Sequence, residues 1–370
     1  MKKYILLLLV VATVYTRVYA QGCVAIRTVG GLNTMEHAGM MHDGMTPIKD
    51  TSKWDLNIAY RYFNSYKHFN GTDEQVQRVI DGTEVRNFNR TIDLSLVRKL
   101  NDQWSVGIAL PMIYNERTSK YEHISNTSTS PRFATSASGL GDTRITAYRW
   151  IVSPTKGGKG NLLAGLGIKI PTGNYKATDV FHNTLTSTRV GPVDQSIQPG
   201  DGGWGLTLEL SGFRQINTNW SIYGNAFYLI NPRGNNGVST ARGGVPSTSA
   251  VKYKSDVMSV PDQYLVRAGG NWTYHSLTLS LGGRYECVPT FDLIGDNTGF
   301  RRPGTVIAVE PGISYSLKKF NLYAYLPFAV FRERNQSYPD ILKTLDTKTF
   351  SRGDAAFADY SMNIGLGYKF

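Results

Sequence analysis

The sequence has few cysteines, few histidines and no long apolar run, and each shortage excludes a class of protein. Two cysteines among 370 residues allow at most one disulfide, so a framework of several disulfides is excluded. No uninterrupted apolar run reaches the roughly 18 residues of a membrane-spanning helix, which excludes a helical membrane protein. Glycine, by contrast, is abundant with 38 residues, and aromatic side chains make up 12% of the chain. This composition is typical of a polar, aromatic, glycine-rich β protein.

Residues 1–20 have the pattern of a secretory signal peptide. Lys2 and Lys3 are followed by an apolar core and by Val18-Tyr19-Ala20, a small-residue cleavage site. The 40 Lys and Arg residues and the 28 Asp and Glu residues give a formal charge of +12. Removal of Lys2, Lys3 and Arg17 with the signal peptide leaves 37 basic residues against 28 acidic ones, or +9. Cys23 leaves lipidation open as an alternative, and a single disulfide with Cys287 is also open. The protein is therefore expected to leave the cytoplasm.

From Trp54 onward, stretches of about ten residues alternate apolar and polar side chains, which is the pattern of a transmembrane strand with lipid on one face. The clearest example is the C-terminal stretch. Its apolar face holds Tyr360, Met362, Ile364, Leu366, Tyr368 and Phe370, and glycine and polar residues fill the other face. The pattern predicts an all-β fold, a transmembrane antiparallel β-barrel of about 12 strands spanning residues 54–370.

The connections support this fold because short and long ones alternate. The predicted strands lie near residues 54–63, 86–98, 103–114, 140–151, 161–170, 203–215, 220–230, 263–274, 277–288, 305–316, 320–331 and 360–370. Short periplasmic turns and long extracellular loops are the arrangement of bacterial outer-membrane barrels. Localisation in the outer membrane of a Gram-negative-type envelope follows. Residues 21–53 carry no strand pattern and are expected to form a periplasmic segment or a plug.

Aromatic residues and the chain terminus suggest the partners of such a barrel. Eight aromatic residues lie near predicted strand ends or mid-strand on the apolar face, namely Trp54, Tyr60, Tyr62, Trp104, Trp220, Tyr264, Trp272 and Tyr274. Those at the strand ends suit the aromatic girdles at the two membrane interfaces. The ending Tyr368-Lys369-Phe370 resembles the signal that outer-membrane assembly machinery recognises, although Phe370 could simply pack at the strand edge. Exposed Lys and Arg favour contact with lipopolysaccharide and other outer-membrane lipids.

Two short motifs add a family resemblance. Gly139-Leu-Gly-Asp-Thr and Gly167-Ile-Lys-Ile-Pro-Thr-Gly, with Asp262-Gln-Tyr further on, resemble the outer-membrane family named after the meta-pathway of phenol degradation. The resemblance implies an outer-membrane barrel that passes small, often hydrophobic molecules, and it implies no catalytic or binding residue. The segments 196–205 and 299–304 are more distinctive than the family in general.

Charged residues on the polar faces of the predicted strands are candidates for the lumen lining. They are Arg61, Asp93, Lys169, Glu209, Arg267, Arg284, Glu286 and Glu310. One interpretation is a conduit whose charges select solutes. The other is a paired network that fills a narrow barrel, because desolvated charges need partners. The sequence does not choose between them.

A Met/His-rich stretch in the N-terminal segment is a second candidate site. Within residues 35–45, thioether and imidazole groups suited to copper come from His37, Met40, Met41, His42 and Met45. The alternative is a polar linker in which these residues are incidental. No other cofactor is expected.

The remaining features exclude other functions. No Gly-x-Ser-x-Gly or His-Glu-x-x-His motif is present, and His68, His123 and His182 fall in predicted external loops, so no enzyme is expected. Basic residues are dispersed, which argues against nucleic-acid binding. The leading hypothesis is a channel for small molecules. Its alternatives are a non-conducting barrel that displays its loops and a copper-handling protein.

Overall fold

The computed structural model describes residues 52–153 and 158–370, in which strands predominate. The strands are β1 (Trp54–Asn70), β2 (Asp73–Glu74), β3 (Arg86–Lys99), β4 (Trp104–Ser119), β5 (Phe133–Leu140), β6 (Thr143–Trp150), β7 (Gly160–Ile170), β8 (Thr178–His182), β9 (Thr188–Pro192), β10 (Gly205–Gln215), β11 (Trp220–Ile230), β12 (Asn235–Ser239), β13 (Val257–Ser259), β14 (Gln263–Tyr274), β15 (Leu277–Val288), β16 (Gly304–Leu317), β17 (Phe320–Tyr325), β18 (Phe328–Arg334) and β19 (Ala355–Lys369). The helices are α1 (Val76–Ile80), α2 (Thr248–Lys252) and α3 (Tyr338–Thr347). Among the described residues, no helix is long and apolar enough to cross a membrane.

The large sheet is antiparallel and closes on itself, because β19 pairs with β1. Its wall contains twelve strands when β5–β6 and β17–β18 are each counted as one interrupted strand and the short β2 is left aside. Short connections such as 216–219 and 275–276 alternate with long ones such as 171–204 and 231–262. The predicted fold, a twelve-stranded transmembrane β-barrel with short periplasmic turns and long extracellular loops, is confirmed.

Side chains alternate between lipid and lumen as the sequence pattern requires. On β4, Val106 and Met112 are exposed on the outer face, whereas Ser105, Ala109 and Asn115 are buried on the inner face. At the periplasmic end, Tyr368 stacks between Phe320 and Phe370, with ring centroids 4.6 and 5.4 Å away. The Phe370 backbone exchanges two 3.0 Å hydrogen bonds with Trp54, so Phe370 also completes the closing seam.

Several barrel strands extend beyond their predicted extracellular ends. β1 is 17 residues long and reaches Asn70, although the prediction ended it near residue 63. The alternation is interrupted there, because the pairing with β19 shifts register between Phe63 and Lys67 and the adjacent His68 and Phe69 are both buried. The placement of His68 in a loop is therefore wrong. It is a buried residue of β1, where its Nε2 accepts a 2.9 Å hydrogen bond from the Val85 N–H and its Nδ1 lies 2.6 Å from Asp354.

Two predicted strands, 140–151 and 320–331, are interrupted. The first belongs to β5 and β6, which are separated at residues 141–142, and the second to β17 and β18, which are separated at Leu326–Pro327. Pro327 lacks the N–H that a sheet interior requires, which accounts for the second interruption. At the first, the Gly141 N–H turns to the Pro111 carbonyl, 2.7 Å away. This break leaves Asp142 at the lumen surface, where it holds an extracellular loop.

Four inward tyrosines each face a glycine on the adjacent strand. The opposed pairs are Tyr148–Gly165, Tyr223–Gly269, Tyr325–Gly312 and Tyr323–Gly365. Since glycine has no Cβ, each ring can lie flat against the neighbouring backbone. These pairs place aromatic rings on the inner face of the wall and explain part of the high glycine content.

Gly269→Ala is expected to lower the free energy of unfolding by about 1–3 kcal/mol, because overpacking forces strands and rings apart. An added Cβ would lie 2.5 Å from the Leu281 carbonyl oxygen, 2.7 Å from Gly282 Cα and 2.8 Å from the Tyr223 ring. Gly283→Ala, on the neighbouring strand, is the control because its Cβ would meet no atom within 4 Å. Urea titration in lipid micelles measures the free energy of unfolding of both variants. Equal stability of the two variants would contradict the packing argument.

Candidate functional site

Part of the long loop between β7 and β10 folds into the extracellular mouth of the barrel. We call residues 193–201 the inserted segment. Val193 and Ile197 are completely buried, and Asn115 of β4 donates a 3.4 Å hydrogen bond to the Ile197 carbonyl. The long extracellular loop predicted between the strands at 161–170 and 203–215 is present, and part of it turns into the barrel mouth. Sequence alternation identifies strands but does not show which loop turns inward.

Asp142 anchors the C-terminal end of the inserted segment. Its carboxylate accepts hydrogen bonds from the N–H groups of Gly173, at 3.0 Å, and Asp201, at 3.1 Å. Lys169 forms an ion pair with Asp201 and lies 3.9 Å from Asp142. The motifs 139–143 and 167–173 therefore meet the distinctive segment 196–205 at one place, and their polar residues have a structural role there.

The other distinctive segment, residues 299–304, anchors the N-terminal end. Arg302 forms a bidentate ion pair with Asp194, with nitrogen-to-oxygen distances of 2.9 and 2.7 Å. Asp194 also accepts hydrogen bonds from the Ser196 N–H and hydroxyl, and Arg117 Nη2 lies 3.6 Å from it. Bidentate pairs of this kind fix geometry as well as charge. The Asp194–Arg302 pair thus ties the inserted segment to the loop between β15 and β16.

A second carboxylate, Glu122, extends this buried network. Glu122 lies in the loop that follows β4. Its carboxylate is 2.9 Å from Arg117 and 3.1 Å from Arg242. Burial alone would raise the pKa of Glu122, but the Arg117 and Arg242 guanidiniums outweigh it and lower the pKa below its ordinary value. The same balance, with Arg117 and Arg302, holds the pKa of Asp194 well below its usual range. Both carboxylates therefore remain charged at neutral pH.

Beneath the inserted segment lies a cavity of about 120 Å³. Its polar walls come from several barrel strands and from the inserted segment itself. Phe63, Phe227, Leu229 and Met258 supply an apolar part of the lining. The arrangement is a partly open compartment with room for a small molecule, bordered by the inserted segment as well as by the barrel wall.

The eight candidate lumen residues separate into distinct environments. Arg61 and Lys169 line the cavity. A buried network joins Glu310 to Arg267, at 3.1 Å, and to Arg284, at 3.3 Å, and Arg284 in turn lies 2.6 Å from Glu286.

The last two candidates lie elsewhere. Glu209 accepts a 3.4 Å hydrogen bond from Tyr148, and Asp93 lies on the inner face of β3 between the buried Thr91 and Ser95. Two of the candidates therefore line the cavity, and four of them, Arg267, Arg284, Glu286 and Glu310, form a buried network of paired charges.

Other predicted features fall outside the described residues. These are the signal peptide, the segment 21–51 with Cys23, and the copper candidates His37, Met40, Met41, His42 and Met45. Within residues 52–153 and 158–370, no group of three or more His, Cys, Asp or Glu side chains is arranged to hold a metal ion. Copper binding therefore stays a prediction.

Sequence reasoning missed the residues that close the mouth. Asp142, Arg144, Asp194, Asp201 and Arg302 either line the cavity or hold the inserted segment. Asp142, Asp201 and Arg302 all lie in motifs that stand out in the sequence, so the motifs were the available signal. The partner of each residue was not available, because it depends on how distant loops fold together.

Comparison with known proteins confirms the architecture. No protein-family model and no curated protein sequence matches the chain. Among solved structures, an outer membrane channel from Pseudomonas putida F1 superposes with a TM-score of 0.56 and 12% identity, covering 88% of this chain and 97% of that one. The translocator domain of the autotransporter NalP from Neisseria meningitidis superposes with a TM-score of 0.45 and 13% identity, covering 93% of this chain and 100% of that one. A FadL homologue from Pseudomonas aeruginosa superposes with a TM-score of 0.45 and 10% identity, covering 95% of this chain and 100% of that one. The first of these likenesses shows the fold of an outer-membrane β-barrel.

Proposed function

We propose that this protein is an outer-membrane channel for small molecules, in which the inserted segment restricts passage. The observation that carries the proposal is the polar cavity inside a membrane-spanning wall, bordered by a loop that folds into the mouth. A barrel whose only task is to display loops has no need of an internal compartment lined by buried charges, which are costly to desolvate. The structural likeness to an outer membrane channel and the motif resemblance to the phenol meta-pathway family both fit transport rather than catalysis.

Single-channel recording tests this proposal. The purified outer-membrane protein is placed in a planar lipid bilayer, and small, discrete conductance steps are expected because the inserted segment narrows the path. Heat-modified migration on a gel confirms that the barrel is folded in the same preparation. A folded barrel that carries no current at any voltage would contradict the proposal.

A folded barrel without current would favour the second candidate, a non-conducting barrel that displays its surface loops. One observation supports this candidate: the long extracellular connections contain their own structure, namely the β8–β9 hairpin, the β12–β13 strand pair and the three helices. In that case the function to measure would be binding by the extracellular loops, rather than ionic current.

The conductance is expected to stay low from about pH 8 to about pH 5 and to rise only when the pH falls below the ordinary carboxyl pKa of about 4. Asp194 and Glu122 have lowered pKa values in the closed arrangement, so their stabilisation is present above the ordinary carboxyl pKa and is lost as the pH falls through the lowered values. Current recorded at stepped pH measures this. A rise centred near pH 7 would show that other groups control closure.

A further inference from the structure

An arginine lies between two tyrosines on the outer face of the barrel wall. Arg90 of β3 is directly opposed by Tyr62 of β1 on one side and by Tyr114 of β4 on the other, so the three residues form one row across adjacent strands. All three are at least partly exposed, whereas the residues before and after Arg90 in the chain are buried on the inner face. The Arg90 guanidinium carbon also lies 6.0 Å from the centroid of the Phe88 ring. A cation framed by aromatic rings therefore faces the membrane.

The row lies near the extracellular edge of the apolar band. A second outward arginine of β3, Arg98, marks the periplasmic edge, where its guanidinium carbon lies 5.2 Å from the Trp54 ring centroid. Arg90 and Arg98 are eight residues apart. At about 3.3 Å per residue and a strand tilt of about 40°, this separation corresponds to a height of about 20 Å. The outward side chains between them are Ile92, Leu94 and Leu96. Since the lipid-facing band is about 25 Å tall, Arg90 reaches the head groups of the outer leaflet.

The neighbouring charges do not neutralise Arg90. Arg86, further along the same face of β3, is paired with Glu84 at 2.6 Å. Glu116 of β4 is opposite Phe88 rather than Arg90 in the strand register. Within residues 52–153 and 158–370, Arg90 forms no ion pair with a carboxylate, for which the limit is 4.0 Å. The counter-ion available at this height is therefore an anionic group of the membrane itself.

We infer that this row is a binding site for a phosphate group of an outer-leaflet lipid, a phosphorylated glycolipid of the lipid A type. The planar guanidinium of Arg90 matches phosphate oxygens with two parallel hydrogen bonds. Tyr62 and Tyr114 flank it and offer two hydroxyl donors. The acyl chains of the lipid pack on the apolar side chains between Arg90 and Arg98. This site is on the outside of the wall, so it is independent of whether the lumen conducts.

Native mass spectrometry of the folded full-length protein, released from detergent micelles, tests the site by measuring bound lipid at stepped concentrations. The probes are lipid A with both phosphates, lipid A with its phosphates removed, and phosphatidylglycerol. Phosphorylated lipid A is expected to bind about tenfold more tightly than either of the others. Arg90→Gln is expected to weaken its binding by about tenfold, because a charge-assisted bidentate contact is lost.

Arg98→Gln is the matched control. Arg98 lies on the same strand and the same face, at the opposite edge of the membrane, so the substitution removes the same charge without touching the row. Its affinity for phosphorylated lipid A is expected to equal that of wild type. Equal affinity of wild type and Arg90→Gln, or an equal loss in both variants, would overturn the site. Tighter binding of phosphatidylglycerol than of phosphorylated lipid A would overturn the assignment of the lipid.

Discussion

Asp194→Ala is expected to convert a low-conductance barrel into one with several-fold larger single-channel currents. The substitution leaves Arg302 and Arg117 without the carboxylate that they share, and it removes the acceptor of the two Ser196 hydrogen bonds. Breaking a buried ion pair by removing one partner costs about 3–5 kcal/mol. At about 1.4 kcal/mol per factor of ten, this shifts the balance between inserted and released segment by about a hundredfold or more.

Asp296→Ala is the control for the change in charge. Asp296 is an exposed carboxylate of the neighbouring extracellular loop, where it accepts hydrogen bonds from Thr298, and its loss leaves the mouth intact. Its conductance is expected to match wild type. If Asp194→Ala also matched wild type while the barrel stayed folded, the inserted segment would not be the element that restricts passage.

Glu310→Leu is expected to cause the largest loss of stability, about 3–5 kcal/mol, because it leaves buried positive charge uncompensated. Glu310 is 1% exposed and is held by both Arg267 and Arg284. In the variant, Glu286 alone would face two buried guanidiniums. Urea unfolding in lipid micelles measures the change.

The double variant Arg267→Met/Glu310→Leu separates charge from packing. It removes one cation with the carboxylate and leaves the Arg284–Glu286 pair, so most of the lost stability is expected to return. Glu74→Gln, at an exposed position of β2, is expected to change nothing. A double variant as unstable as Glu310→Leu would show that the shape of the side chain, rather than its charge, holds the network.

The sequence was sufficient for the architecture because one physical constraint acts on every barrel strand. Lipid on one face and a polar lumen on the other impose a period of two, and the terminal strand from Tyr360 to Phe370 shows it without interruption. The predicted strand ends are less accurate beyond the lipid-facing band, where the period of two is no longer imposed. His68, above the apolar band of β1, is an example. Interruptions such as Leu326–Pro327 were missed because the apolar pattern continues through them.

The candidate site was only partly accessible to the same reasoning. Alternation placed Arg61 and Lys169 inside the barrel, and both line the cavity. It could not pair Lys169 with Asp201, or Asp194 with Arg302, because those partners come from loops, where no period constrains the side chains. Loop residues were assigned to the exterior by default, which concealed the inserted segment.

The Asp194–Arg302 pair also has a consequence for the order of folding. Its members are 108 residues apart in the chain, and Arg302 is positioned only after β15 and β16 have joined the wall. Contacts of such long range form late, because the entropy of closing the intervening chain must be overcome first. The insertion of residues 193–201 into the mouth is therefore expected to be a late step in the folding of the barrel.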